Sequence, residues 1–321
     1  MDWVKGRSWF PIGATIACSV LSACSQGPDM SGIAAERERQ VRRYDISQSM
    51  ASNGKVIAVG TQSGAVLTSE DQGKSWKRTM LGNTSLVDMT VCGDKGFVAI
   101  DHYHKVWSAD AEGKNWTSVA LEMPRTPLAV TCDKKGGWWV AGVNSVISGS
   151  ADQGKTWKTT DLGEDTQITT IQFLDDKNAI AIGEFGLTVT SEDGGTTWKK
   201  GPKMPGDFYA YSALFANRTE GWVSGLAGQV LHTTDGGKSW SKQVNATQAA
   251  LNRLFMHEGK PFAVGAGGVI AHLDGNTWRS VPYTDVVPVF LGAAASLTGQ
   301  SAIVIGGPGG LLRAVSTHAK Q

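Results

Sequence analysis

The sequence predicts an all-β fold, a seven-bladed β-propeller with about 40 residues per blade. Three observations predict it. A short Asp-centred turn that closes on tryptophan is written six times. A short apolar run ending in glycine recurs at the same period. A seventh unit carries the runs without the turn.

The turns set the period. Regular copies occupy residues 69–76, 150–157, 191–198 and 233–240, a longer variant occupies 108–116, and a shortened one occupies 272–278. Their closing tryptophans, Trp76, Trp116, Trp157, Trp198, Trp240 and Trp278, are spaced 40, 41, 41, 42 and 38 residues apart. Each copy holds one aspartate: Asp71, Asp110, Asp152, Asp193, Asp235 and Asp274. A short carboxylate accepts backbone N–H groups just downstream and closes a tight turn, and Gly73, Gly154, Gly195 and Gly237 supply positive φ where the turn needs it. The tryptophan then opens a strand with a large flat ring available for packing. These aspartates therefore read as turn formers, not as metal carboxylates. The residue inserted at Ala111 or Glu112 and the residue missing before Trp278 should distort the second and sixth turns.

Runs such as Val56-Ile57-Ala58-Val59-Gly60, Ala179-Ile180-Ala181-Ile182-Gly183 and Phe262-Ala263-Val264-Gly265 are short, apolar and bounded by glycine, which marks buried strands. The seventh unit reads as strands over 286–295, 302–306 and 311–315 and lacks an outer strand. A propeller protects its edges by closing the ring, so the segment 38–44 is expected to pair with the last blade.

The ends and the composition bound the biology. Lys5 and Arg7 precede an uncharged, largely apolar stretch over 8–21, followed by Leu21-Ser22-Ala23-Cys24. That is the form of a secretory signal, and it is too short to span a membrane. The ending resembles the bacterial lipoprotein box, which implies cleavage before Cys24 and a lipid on its sulfur. Residues 1–23 are thus read as signal, 24–43 as lipidated tether and 44–321 as propeller. Ser25, where many inner-membrane lipoproteins carry Asp, favours the outer membrane. Export permits a disulfide between the remaining Cys92 and Cys132, and the sequence leaves bridge and free thiols both open. Lys and Arg total 30 against 29 Asp and Glu, which leaves no global field to attract nucleic acid. Arg37, Arg39, Arg42 and Arg43 alternate with Glu36 and Glu38 in the tether and read as solvated charge.

The turn pattern Ser/Thr-x-Asp-x-Gly-x-x-Trp resembles the Asp box, or BNR repeat. Together with the second-strand and hairpin glycines, best seen from Gly221 to Trp240, it resembles the photosystem II stability/assembly factor-like propellers over 44–321. That resemblance implies a non-catalytic scaffold that helps assemble a membrane protein complex, and in exported relatives an RND-type transporter. It also implies a basic patch at the middle of the ring, for which Arg218, Arg253, Arg279 and Arg313 are the candidates.

Asp boxes occur in sialidases too, so a glycan hydrolase or lyase is the alternative. Sialidase chemistry needs three arginines to clamp a carboxylate and a Tyr–Glu nucleophile pair. The chain is poor in arginine, and Tyr103, Tyr209, Tyr211 and Tyr283 are scattered along it. His102 and His104 share a strand face, and His232 and His272 occupy equivalent places in two blades; neither pair has further ligands nearby in the sequence. The expectation is a monomer without cofactor or metal, bound to the membrane by its lipid.

Overall fold

The computed structural model describes residues 29–317. The expected signal and Cys24 lie outside the described residues. Seven sheets follow one another along the chain, over 47–80, 86–120, 127–161, 168–200, 210–242, 251–280 and 293–316, all antiparallel except that Val244–Asn245 adds a parallel fifth strand to the outer edge of the sixth. We number them blades 1 to 7. Apart from that added strand, the strands of each blade meander outward in chain order. The inner strands are Ser47–Ser52, Leu86–Val91, Pro127–Cys132, Ile168–Phe173, Ala210–Phe215, Leu251–His257 and Ala293–Ser296. Each contacts the next, and the last contacts the first, so the ring is closed. The protein is a seven-bladed all-β propeller.

The meander gives the ring two unlike ends. The turns from inner to second strand and from third to outer strand lie at one end, the Asp-turn face. The loops from second to third strand and the connections between blades lie at the other, the loop face.

The core is divided into wedges, one between each pair of neighbouring blades. The wedge of blades 3 and 4, for example, joins Ala141 and Ile147 to Ile171, Phe173 and Val189. Strands such as Ile57–Thr61 and Ala179–Gly183 are buried at every residue, because both sheet faces meet a neighbour. Continuous apolar runs are what such burial demands. The turn tryptophans are part of this division. Trp76 packs on the wedge with blade 7, Trp157 on that with blade 2, Trp198 with blade 3 and Trp240 with blade 4. Each tryptophan thus packs toward the preceding blade.

Four turns share one hydrogen-bond pattern. In blade 3 the Ser150 hydroxyl donates to Asp152 Oδ1 at 2.8 Å and accepts the Gly154 N–H at 2.7 Å. Asp152 also accepts the Thr156 N–H at 2.8 Å and its hydroxyl at 2.7 Å. Blades 1, 4 and 5 repeat this with Asp71, Asp193 and Asp235. Gly195 has φ +84°, and a Cβ there would overlap the Trp139 ring, so the turn requires glycine twice over.

The two irregular copies differ as their lengths demand. With one residue more, Asp110 accepts the Glu112 and Lys114 N–H groups, while Ser108 turns instead to Thr117. With one residue fewer, the sixth copy is not an Asp turn. Asp274 pairs with Thr277 across a two-residue hairpin, and its carboxylate accepts from Arg279 Nε at 3.0 Å. Trp278 still fills its place: it is fully buried, and its indole N–H donates to Gln243 at 2.8 Å.

Two expectations are corrected in the last blade. Its inner strand is Ala293–Ser296, shorter than the 286–295 expected. Pro282 and Pro288 interrupt the approach, since proline donates no ladder hydrogen bond. The segment 38–44 adds no strand, and blade 7 has three strands among the described residues. It serves the seam between blades 7 and 1 in another way. After a helix at Ser31–Glu38, Val41 packs on the wedge of blades 7 and 1. Asp45 O accepts the Gly310 N–H at 2.9 Å, and Ser47 N donates to Gly307 O at 3.1 Å. Arg78 of blade 1 binds both Asp45 oxygens, at 2.8 and 3.0 Å, and its side chain is 6% exposed against 1% for Asp45. Charged side chains and turns, not a ladder, hold this seam.

Two predictions follow from these contacts. Asp45→Ala leaves the Arg78 charge buried without its partner and should cost about 3–5 kcal/mol, read by denaturant unfolding; a loss under about 1 kcal/mol would show that the seam does not depend on the pair. The second concerns acid. Hydrogen bonds, first from the hydroxyls of Thr156, Thr197 and Ser239, hold Asp152, Asp193 and Asp235 down at about 2, below the ordinary 3.8. A folded-state pKa below the unfolded one gives stability that is complete above about pH 4 and is lost as pH falls toward 2. The melting temperature should therefore hold to about pH 4 and drop steeply below it. Joint Asp152→Asn, Asp193→Asn and Asp235→Asn should start lower and flatten that drop, which circular dichroism against pH would show.

Candidate functional site

The inner strands leave an axial cavity of about 330 Å³, lined from all seven blades. Its lining is rich in short polar side chains, Thr90, Thr131, Thr169, Thr170 and Ser212, together with Gln172. This follows from the inner strands' pattern: alternate residues point into the wedges, and the others meet the axis. Several polar atoms are already engaged. Gln172 bonds the Phe215 backbone on both sides, and Ser212 accepts the Leu254 N–H.

One ion pair lies in this cavity. Arg253 Nη2 of blade 6 reaches Asp88 Oδ1 of blade 2 at 2.9 Å, and Asp88 Oδ2 accepts the Val130 N–H at 3.0 Å. The Arg253 side chain is still 32% exposed, so part of its guanidinium faces open space. The carboxylate is the fixed member and the arginine the accessible one.

The four arginines expected to form one central patch are not brought together. Arg253 alone lines the axial cavity. Arg218 lies in the inner-to-second turn of blade 5, at the Asp-turn face, 3.4 Å from Asp175. Arg279 lies on an outer strand beside Asp274. Arg313, on the third strand of blade 7, donates to the carbonyls of Thr284 and Asp285 and lies 5.6 Å from the Tyr283 ring. Their repeat positions differ, and a propeller converts a difference in repeat position into a difference in radius.

The remaining titratable groups scatter likewise. His102 and His104 are exposed in a loop of blade 2. His232 stacks on Trp222 with ring centroids 5.1 Å apart, and His272 lies against Phe262. Among the described residues no three His, Cys, Asp or Glu side chains converge as a metal set. Tyr209 and Glu184 are a pair that the sequence did not reveal. The Glu184 carboxylate accepts the Tyr209 hydroxyl and pushes its pKa up, which keeps the phenol protonated. Among the described residues no arginine is bonded to either. Cys92 and Cys132 end neighbouring inner strands, and a disulfide joins them with Cα atoms 5.3 Å apart. The bridge links blades 2 and 3 beside the axial cavity's wall.

The loop face differs from the Asp-turn face in its apolar residues. Exposed large hydrophobic side chains fall in the N-terminal segment, the second-to-third-strand loops, the connections between blades and the strand end that leads into one. Tyr103, Phe185, Leu226 and Phe290 are examples, and none lies in an Asp turn or an inner-to-second turn. Phe185 has φ +51° and Ala227, next to Leu226, has +57°, so these loops hold tight left-handed turns that push their side chains outward.

Comparison with known proteins bears on this arrangement. The family model "Photosynthesis system II assembly factor YCF48" matches residues 108–216 and 155–249. The photosystem II assembly lipoprotein Ycf48 of Synechococcus sp. (strain CC9902) is 30% identical over 151 residues, 45% of this chain and 44% of that protein. That of Picosynechococcus sp. (strain ATCC 27264 / PCC 7002 / PR-6) is 30% identical over 186 residues, 53% of each. The chain thus matches about half the length of these curated relatives. Among solved structures, YCF48 bound to D1 peptide superposes with a TM-score of 0.69 at 16% identity, covering 87% of this chain and 96% of that one. Virginiamycin B lyase from Staphylococcus aureus superposes at 0.73 with 11% identity, covering 85% and 96%. At those identities the superpositions report the shared fold. In repeat, blade count and matched sequence, the chain is an Asp-box (BNR) β-propeller of the kind seen in the photosystem II assembly factor-like family.

Proposed function

We propose that this protein is an exported, lipid-anchored binding module that holds or helps assemble a membrane protein complex. The observation that carries the reading is Arg253, a partly open guanidinium in a cavity lined from seven blades, five of which supply hydrogen-bonding side chains. Such a site recognises a polar or carboxylate-bearing segment without transforming it. The relatives support the reading, since those matched in sequence are named assembly lipoproteins and one solved YCF48 structure carries a D1 peptide. In the envelope of a non-photosynthetic host the complex would be a transporter of the RND type. Cys24 followed by Ser25 supports an acyl anchor in the outer membrane.

A lyase reading stands beside it, because virginiamycin B lyase shares the fold. It needs a general base or an activated nucleophile. Tyr209 bonded to Glu184 is the candidate pair for it, and among the described residues no arginine is bonded to either, which favours the binding reading.

The separating experiment is crosslinking in intact membranes followed by recovery of the full acylated chain. A defined membrane protein should be recovered. Arg253→Ala should reduce that recovery about tenfold or more, while Arg279→Ala, at an outer edge, should leave it unchanged. No partner, together with turnover of a glycan or cyclic-peptide panel, would sink the scaffold reading.

A further inference from the structure

We infer that the loop face is a membrane-docking surface, whose apolar rim enters the interfacial layer of the bilayer that holds the protein. The inference rests on the acyl anchor proposed above. Its structural basis is the placement of single exposed apolar side chains around one end of the ring. Tyr44 stands at blade 1, Tyr103 at blade 2, Phe185 at blade 4 and Leu226 at blade 5, while Val286 and Phe290 stand between blades 6 and 7. Tyr103 is 71% exposed, Leu226 and Phe290 56% each.

The distribution points to the occupant. These residues do not form one contiguous patch, as a protein hot spot would. They are spread around the circumference of a disc, and a flat target engages them together. A bilayer interface is flat on this scale and accepts isolated aromatic and aliphatic side chains whose neighbours stay hydrated. Polar loop residues such as His102, His104, Lys105 and Arg125 are exposed on the same connections and would remain at headgroup level.

The path of the chain gives the second, independent argument. The N-terminal segment enters the ring at this same face: Asp45 O accepts from Gly310 in the loop of blade 7, and Gln62 N donates to Ile46 O. Asp29 is five steps along the chain from Cys24, a reach of about 18 Å when fully extended. The helix Ser31–Glu38 adds roughly 12 Å. An acyl chain on Cys24 therefore keeps the membrane within about 30 Å of the end of the helix, where Glu36 accepts the Arg43 N–H close to the entry into the loop face. Met30, just before that helix, and Ile33 within it are exposed too, at 54% and 42%, and lie on the path between anchor and rim. A short tether and an apolar rim at one face make lipid contact the resting state of the protein.

The test uses the full acylated chain reconstituted into protein-free vesicles of phosphatidylethanolamine and phosphatidylglycerol, read by hydrogen–deuterium exchange. Amides over 102–105, 185–187, 226–229 and 286–290 should exchange more slowly than in a joint Phe185→Ser, Leu226→Ser, Phe290→Ser variant carrying the same anchor. Amides of the Asp turns should be equal in the two proteins. Equal exchange of the loop amides in the two proteins overturns the inference. So does loop protection that appears only in native membranes and never in protein-free vesicles, which assigns the rim to a protein partner. Mass spectrometry of the Cys24 peptide tests the anchor separately. Should it carry no acyl group, co-sedimentation of the unanchored chain with the same vesicles still reads the rim. Binding that falls about tenfold or more in the triple variant supports it, and no binding by the unsubstituted chain overturns it.

Discussion

The structure depends on one contact repeated around the ring: the tryptophan that closes each turn packs toward the blade before it. The turn is the device that aims this ring. A serine or threonine hydroxyl, an aspartate and a left-handed glycine fix the backbone within a few residues, so the indole leaves the outer strand at one angle every time. The second turn gains a residue and the sixth loses one, yet Trp116 and Trp278 still reach the neighbouring wedge. The wedge is therefore the conserved outcome of the geometry, and the hydrogen bonds are one means of reaching it. Trp278 makes the point best, because Gln243 takes over the polar duty once Asp274 is drawn into a hairpin.

Closure is where this rule stops. Blade 7 has no Asp turn and no such tryptophan, so its wedge with blade 6 is filled from the connection that leads into it, by Val281, Leu291 and Tyr283. Its wedge with blade 1 keeps Trp76 and adds Val41 from the N-terminal segment. Backbone bonds from Ser47 and Gly310 and the buried Arg78–Asp45 pair complete the seam. A buried ion pair contributes little net stability against an apolar alternative, but it discriminates strongly against a wrong register. At the one junction where the chain must meet its own beginning, fixing the register matters more than gaining free energy.

The sequence showed the fold almost completely because each blade repeats the same local physics, and repetition makes a weak signal strong. It failed where neighbours in space are strangers in sequence. The segment 38–44 was expected as a strand because a propeller needs closing; that Asp45 would instead hold Arg78 is a contact no periodicity encodes. The arginine patch failed for the same reason. Arg218, Arg253, Arg279 and Arg313 look alike as a list, but one faces the axis, one sits on a turn, one on an outer strand and one on the third strand of blade 7. Only the strand register separates them. Tyr209 and Glu184 were invisible as a pair, since a loop of one blade and the connection to the next bring them together.

The repeated residues and the unrepeated ones divide the molecule between them. Asp71, Asp152, Asp193 and Asp235 spend their hydrogen-bonding capacity on their own turns, and the turn tryptophans pack their rings on the wedges, so the repeated side chains of the Asp-turn face serve the fold. Tyr103 and Phe185 hold the same place in the loops of blades 2 and 4, no other blade exposes a large apolar side chain there, and Leu226 and Phe290 are exposed at other points of the same face. Singly exposed apolar side chains are ordinary on a protein surface, but here none lies in an Asp turn or an inner-to-second turn. Arg253 is likewise a single departure, placed where seven equivalent strands meet. A ring built by repetition is nearly symmetric, and a symmetric surface cannot recognise an asymmetric partner. Specificity has to enter through the departures, and in this chain they concentrate at the axis and on the face from which the N-terminal segment leaves.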